Sequence, residues 1–196
     1  ANDHLHGRLH AGDHLKIWVN PQIELRRDEV VRVAFPVPAG ARSIGSPGKG
    51  QLDGGIQLPP SAHYERVNPR LQFATGHTLK HLQQAIARFR QLYRYNGVLV
   101  ISDLSQQGGG PLPPRKSHQS GRDVDIWLPA LKGTFFPRDL KNDRKPRNEE
   151  INWYAAWGLV ESLLSTGQIK YIFLDSALHP RLYASASSMG ADPELR

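Results

Sequence analysis

The chain has 196 residues, a net charge of +7 and a pI of about 9.9, and it contains no cysteine. Disulfides and thiolate metal sites are therefore excluded, and any bound metal has to be held by His, Asp or Glu. No apolar run approaches the roughly 20 residues of a membrane-spanning helix.

The 18 Gly and 15 Pro argue for many loops rather than a helical bundle. The positive charge suits nucleic acid, an anionic membrane or an acidic wall polymer, or simply keeps the chain soluble. Lys and Arg are scattered, with the densest stretch at 138–147. No basic helix or aromatic-interleaved strand marks a nucleic-acid surface, so nucleic acid is not expected as a partner.

Residues 1–20 carry His4, His6, His10 and His14. Their spacing fits no compact ligand set and reads as a solvated arm or a purification scar. The start, Ala1-Asn2-Asp3-His4, is polar, without the apolar core of a signal peptide, and reads as a mature or excised terminus. Within the arm, the LHAGDHLKIWV segment at 9–19 resembles the end of a LysM repeat, a glycan-binding module. Residues 30–37 are β-branched and stop at prolines, which predicts a strand. A Gly-, Pro- and Ser-rich loop follows at 39–61.

Leu79, Leu82, Ile86, Phe89 and Tyr93 recur at three and four, predicting a helix over 78–95 that Asn96-Gly97 ends. A buried strand is predicted at 98–101, closing at Ser102-Asp103. The glycine run 108–110 is not a phosphate loop, because no Gly-Lys-Ser/Thr follows it. Val124, Ile126 and Leu128 alternate with Asp123, Asp125 and Trp127, predicting a strand with one apolar and one chemical face. A second helix is predicted at 148–165, capped by Asn148, with Glu149 and Glu150 at its positive end. A buried strand at 169–174 and a short helix at 177–189 complete the chain.

The chemistry concentrates in Ser117-His118-Gln119-Ser120-Gly121-Arg122-Asp123-Val124-Asp125. Imidazole and carboxylate are both zinc ligands, and a catalytic zinc takes three protein ligands and keeps one position open. Gly121 permits a tight turn that would bring His118 and Asp125 together. Burial of two carboxylates on one face would call for a cation. The alternative is a loop His bonded to backbone and a strand Asp paired with a nearby Arg. Asp123 has two readings of its own: it orients His118, or it pairs with Arg122 or Arg115.

The run SHQSGRDVDIWLP at 117–129 resembles the signature of penicillin-insensitive murein endopeptidases, zinc peptidases grouped with lysostaphin, the D-Ala-D-Ala metallopeptidases and the hedgehog fold. Ser43-Ile44-Gly45-Ser46, Leu58-Pro59, His63-Tyr64, Gly76-His77, Val100-Ile101-Ser102-Asp103, Trp153 and Tyr171-Ile172-Phe173 extend the likeness over about 40–185.

The resemblance implies an α+β fold with a central antiparallel sheet and flanking helices. It divides the chain into an N-terminal arm and strand at 1–38, the tail of a LysM-like module, and an endopeptidase-like domain at 39–196. It implies one zinc ion, held by His118 and Asp125, and cleavage of D-alanyl–meso-diaminopimelyl crosslinks in peptidoglycan, in the periplasm or outside the cell. Ser117 and its loop would fix the substrate peptide. The family's third ligand is the last His of a His-x-His pair on a later strand, near a further catalytic His. Both are expected beyond Arg196, and His179, His77 and His63 are the substitutes within the chain. Arg115, Arg144 and Arg147 stand where some relatives place further His and Asp, so a second metal ion is not expected. A non-catalytic peptidoglycan-binding module is the alternative function.

Overall fold

In the computed structural model, residues 40–136, 139, 142 and 144–191 are described. The histidine-rich arm, the LysM-like segment and the strand expected at 30–37 lie outside them.

β1 (Arg42–Ser46) and β2 (Lys49–Asp53) form an antiparallel hairpin closed by Pro47-Gly48, with Ser46 opposite Lys49. The hairpin is mostly exposed and is anchored by Leu52, which is fully buried. β3 (Ile56–Gln57) pairs antiparallel with β5 (Phe73–Ala74). β4 (Glu65–Arg66) pairs parallel with β6 (Val100–Ile101). The described architecture is α+β, but its strands form three two-stranded ladders rather than one central antiparallel sheet. Single antiparallel bridges, Phe73 with Ser105 and Ile101 with Ile126, link them. Gly54-Gly55, Pro59-Pro60 and Pro69 interrupt the strands, and proline has no N–H to give a ladder.

Helix α1 (Gly76–Tyr93) begins at a Thr75 cap whose hydroxyl accepts from the Thr78 N–H at 3.1 Å. Its stripe of Leu79, Leu82, Ile86 and Phe89 is buried in the main core with Leu58, Ile101 and Leu104. The helix stops short of the predicted 95, at a left-handed Arg94 (φ +48°). Tyr95 instead turns inward and donates from its hydroxyl to the Ala130 carbonyl at 3.2 Å.

Helix α2 (Trp153–Leu164) starts five residues later than expected. Its cap is Asn152, whose side-chain oxygen accepts from the Ala155 N–H at 3.0 Å, and not Asn148. The backbone at 150–152 is drawn away from helix by tertiary pairing: Leu131 N–H donates to Glu150 and Asn152 N–H to Pro129, at 2.6 and 2.8 Å. Asn148–Glu150 is a separate 3-10 turn, in which Glu150 binds Arg144 and Arg147 rather than serving a helix dipole.

α1 packs on α2, with Gly158 lying against the Tyr93 ring, where a Cβ would come within 2.4 Å. Glu161 of α2, only 1% exposed, receives the buried Arg88 at 3.5 Å and the Tyr93 hydroxyl. Helix α3 (His179–Ser188) covers a second cluster around Trp157, Val160 and Leu182.

Residues 169–174, expected as a buried strand, join no ladder among the described residues. Ile172 and Leu174 pack on the second cluster, whereas Tyr171 and Phe173 face outward, Phe173 79% exposed.

Candidate metal centre

β6 is the platform on which the site is built. Gln72, fully buried, donates from its side-chain amide to the Ile101 and Ser102 carbonyls at 2.8 and 2.7 Å, holding the end of β6 in place. Beyond β6, Ser102 and Asp103 exchange backbone hydrogen bonds with Asp125: Ser102 N–H donates to Asp125 and Asp125 N–H to Asp103, both at 2.8 Å. The alternating segment at 124–127 therefore runs extended beside β6. Val124 and Ile126 pack on the main core. Trp127, expected on the chemical face, is buried in a third cluster with Val100, Ala130 and Phe135, so the segment is covered on both sides beyond Asp125.

The loop carrying His118 is clamped between the hairpin and the glycine run. Gln119 N–H donates to Pro47, and Gly110 N–H to Gln119, at 3.0 and 2.9 Å. Gly109 lies so close to the Gln119 carbonyl that a Cβ would sit 2.2 Å from it. The glycines at 108–110 thus serve a close backbone approach. Gly121, at φ +67°, lies against Leu52 and Ala74, and its carbonyl accepts from Thr75 N–H and the Thr78 hydroxyl.

His118 itself has φ +65°, a backbone conformation that side chains other than glycine adopt at a cost of about 1–3 kcal/mol. Its own backbone contacts over-determine that conformation. Its N–H donates to Asp123 Oδ2 at 2.7 Å, and its carbonyl accepts from the Ser105 hydroxyl at 2.6 Å. The His118 side chain is 5% exposed. Nδ1 lies 2.6 Å from the Leu104 carbonyl, which can only accept, so Nδ1 carries the proton. In the neutral ring this leaves the Nε2 lone pair free, facing Asp125 Oδ1 at 3.3 Å.

Two donors of a tetrahedral zinc, with bonds of about 2.0–2.1 Å, lie roughly 3.3–3.4 Å apart. His118 Nε2 and Asp125 Oδ1 already stand at that separation, with the tautomer that ligation needs, so this pair fits a zinc ion. Asp123 Oδ1 is buried with no hydrogen-bond partner, while its Oδ2 accepts from the His118 N–H.

Asp123 and Asp125 flank one imidazole, from its Nδ1 side at 3.5 Å and its Nε2 side at 3.3 Å. Burial pushes the His118 pKa down, but the Asp125 hydrogen bond and the charges of Asp123 and Asp125, helped by the Leu104 carbonyl, more than offset it and the net shift is upward. The hydrogen bond from His118 holds the Asp125 carboxyl below its usual range. Burial opposes this, and the charges of His118, Arg115 and Lys145 assist. Asp125 is open to solvent, its side chain 55% exposed. Ser117 is half-buried directly before His118.

Of the two readings of Asp123, the arginine pairing finds no support. Arg115 is ion-paired to Asp103, and Arg122 reaches the Gly45 carbonyl. Asp123 acts on His118 chiefly through its backbone N–H. Arg144 and Arg147 are engaged with Glu150.

The substitute ligands do not converge on the pair. His77 Nε2 meets Gln168 Oε1 at 3.1 Å, and its ring packs on His81. His179 Nε2 meets the Leu174 carbonyl at 3.0 Å. His63 is exposed, and its carbonyl accepts from Arg90. Among the described residues, no group of three His, Asp or Glu is placed to hold a metal ion. Gln72, Leu104 and Ser105 carry no catalytic signal in the sequence, because Leu104 acts through its backbone carbonyl and the other two through side chains that bond backbone carbonyls.

The model of the penicillin-insensitive murein endopeptidase family matches residues 43–163. A protein of that name from Yersinia enterocolitica is 34% identical over 179 residues, 82% of this chain and 62% of its own length. One from Salmonella paratyphi C is 31% identical over 187 residues, 89% of this chain and 68% of its own. One from Escherichia coli is 34% identical over 105 residues, covering 52% and 38%. The chain thus spans less than two thirds of the Yersinia and Escherichia relatives.

Proposed function

The chain belongs to the penicillin-insensitive murein endopeptidase family, and from that premise we propose that it is a zinc peptidase that cleaves D-alanyl–meso-diaminopimelyl crosslinks of peptidoglycan. The observation that carries this reading is the 3.3 Å approach of His118 Nε2 to Asp125 Oδ1 on a locked tautomer. A zinc ion there supplies Lewis acidity toward the scissile carbonyl and toward water.

The chain's own residues do the rest. His118 and Asp125 are two of the metal ligands. The Leu104 carbonyl holds the proton on Nδ1, which keeps Nε2 in its ligand form. Asp123 and Ser105 hold the strained His118 backbone, so the ring cannot swing away from Asp125. Asp125 opens to solvent, where a crosslink spanning two glycan strands can reach it. Ser117 and the adjoining backbone would seat the peptide. The third ligand is expected, on family likeness, to be the last His of a His-x-His pair outside the described residues, with a further His close to it as general base. The hedgehog and DD-peptidase arrangement of the sheet, and a periplasmic or extracellular location, belong to the same reading. No helix among the described residues is long and apolar enough to cross a membrane.

Digestion of isolated sacculi by the protein that carries the expected His-x-His pair tests the proposal. Crosslinked muropeptides should fall to monomers in a chelator-sensitive way, and His118→Ala should abolish this. Sacculus binding without any loss of crosslinks would favour the non-catalytic wall-binding module instead.

A further inference from the structure

We propose that His77, His81 and Gln168 form a surface site for a late divalent transition metal, nickel(II) or copper(II), separate from the His118–Asp125 pair. The site ties the first turns of α1 to the turn that follows α2.

His77 and His81 stand at positions i and i+4 of α1, which puts both rings on one face of the helix. Their ring centres are 4.4 Å apart, with the planes tilted by 57°. Gln168 comes from a different part of the chain. It lies in the turn after α2, where its N–H donates to the Thr166 hydroxyl at 3.2 Å. Its Oε1 lies 3.1 Å from His77 Nε2. Two imidazoles and one amide oxygen are thus brought together. His81 Nδ1 is buried without a hydrogen-bond partner, so the cluster does not satisfy itself. His77 and Gln168 are exposed, which opens the cluster to an ion from solvent.

The two separations select the metal. Imidazoles held about 2.0–2.1 Å from one ion have ring centres roughly 4.5 Å apart when the bonds meet at a right angle, and roughly 5.2 Å apart at the tetrahedral angle. A nitrogen and an oxygen at such bond lengths lie about 3.0 Å apart at a right angle and about 3.4 Å apart at the tetrahedral one. The observed 4.4 and 3.1 Å both lie nearer the right-angle values. Nitrogen and oxygen donors at right angles suit nickel(II) or copper(II). Zinc prefers a tetrahedron and belongs at His118 and Asp125, whose 3.3 Å separation matches that angle. On ligation the His77 proton moves from Nε2 to Nδ1, and the ion takes the place of the hydrogen bond to Gln168.

The position gives such an ion a structural consequence. Thr75 N–H and the Thr78 hydroxyl, on either side of His77, donate to the Gly121 carbonyl at 3.2 and 2.9 Å. Gly121 lies in the loop that carries His118. A metal at His77, His81 and Gln168 therefore braces the turn on which that loop rests.

Nickel(II) is the probe, used in equilibrium dialysis and in urea unfolding of the full chain. Wild type is compared with His77→Gln, His81→Gln and Gln168→Ala. His118, Asp125 and the N-terminal histidines are common to all four, so only differences among them count. Each His variant should hold one nickel ion fewer than wild type, and Gln168→Ala should bind that ion about tenfold more weakly. Nickel at about a hundred times its Kd should raise the folded-to-unfolded ratio of wild type about a hundredfold, and that of the His variants not at all by this site. Unfolding in chelator shows whether a substitution alters the fold by itself, and Gln168→Ala, at an exposed position, carries the test if a helix variant does. Equal nickel content and equal response to nickel in wild type and both His variants overturn the site. Affinity unchanged by Gln168→Ala overturns it as a three-donor site, and zinc bound there more tightly than nickel overturns the right-angle assignment. Failure of zinc binding at His118 and Asp125 would overturn the peptidase reading and leave this site standing.

Discussion

Replacing Gly121 by alanine tests whether the His118 loop is held by close packing. The backbone there has φ +67°, and a Cβ would lie 2.8 and 2.9 Å from the Leu52 methyls and 3.0 Å from Ala74 Cα. The left-handed conformation costs a side chain roughly 1–2 kcal/mol. Forcing a methyl against buried Leu52 and backbone adds about 1–3 kcal/mol, and the stiffer unfolded chain returns roughly 0.4–1 kcal/mol. The net expectation is a loss of about 2–4 kcal/mol. Gly167 is the control, because it shares φ +67° but has nothing within 4 Å of its would-be Cβ. Gly167→Ala should therefore show the conformational cost alone, about 1 kcal/mol. Urea unfolding followed by tryptophan fluorescence measures both. If the two substitutions cost the same within about 0.5 kcal/mol, Gly121 is not a packing position and the account of how this loop is clamped is wrong.

The pH dependence of the metal-free site has a definite sign. His118 is raised above its ordinary 6.5, so its contribution is complete below 6.5 and is lost as pH climbs through the higher folded value. Asp125 is lowered from 3.8, so its contribution is present above 3.8 and is lost as pH falls through the lower folded value. The Tm difference between wild type and Asp125→Asn in chelator should thus be widest between these limits and shrink toward alkaline pH; a difference that grows from neutral to alkaline pH contradicts the assignment. Glu161→Ala leaves Arg88 buried without its carboxylate and should cost about 3–5 kcal/mol by denaturant melt, whereas a cost under about 1 kcal/mol would mean that Arg88 finds solvent. Asn152→Ala should cost about 1 kcal/mol as a lost cap and Asn148→Ala close to nothing, an order that thermal melts can reverse if the helix in fact starts at 148.

The parts of the site that depend on local chemistry were legible in the sequence. A glycine between a histidine and an aspartate, opening onto an alternating apolar run, is enough to suggest a turn that folds the imidazole toward the carboxylate, and His118 Nε2 and Asp125 Oδ1 do lie 3.3 Å apart. The amphipathic stripe of α1 was equally plain. What failed was decided by distant partners. Asn148 looks like a cap because nothing local reveals that residues 150–152 pair with 129–131. Residues 169–174 have the composition of a buried strand, yet their backbone finds no ladder among the described residues, and Tyr171 and Phe173 turn outward. Trp127 alternates with the aspartates but is claimed by Phe135 and Val100. Gln72, whose side-chain amide braces the end of β6, and Leu104, whose carbonyl sets the His118 tautomer, act across the fold, and no spacing rule marks them.

The central claim is that one zinc ion is shared by His118 and Asp125. Equilibrium dialysis against zinc at neutral pH, on the wild type and on H118A and D125A, addresses it most directly. The account predicts one ion per chain, with an affinity that drops at least about tenfold on either substitution. Zinc affinity unchanged by both would contradict it.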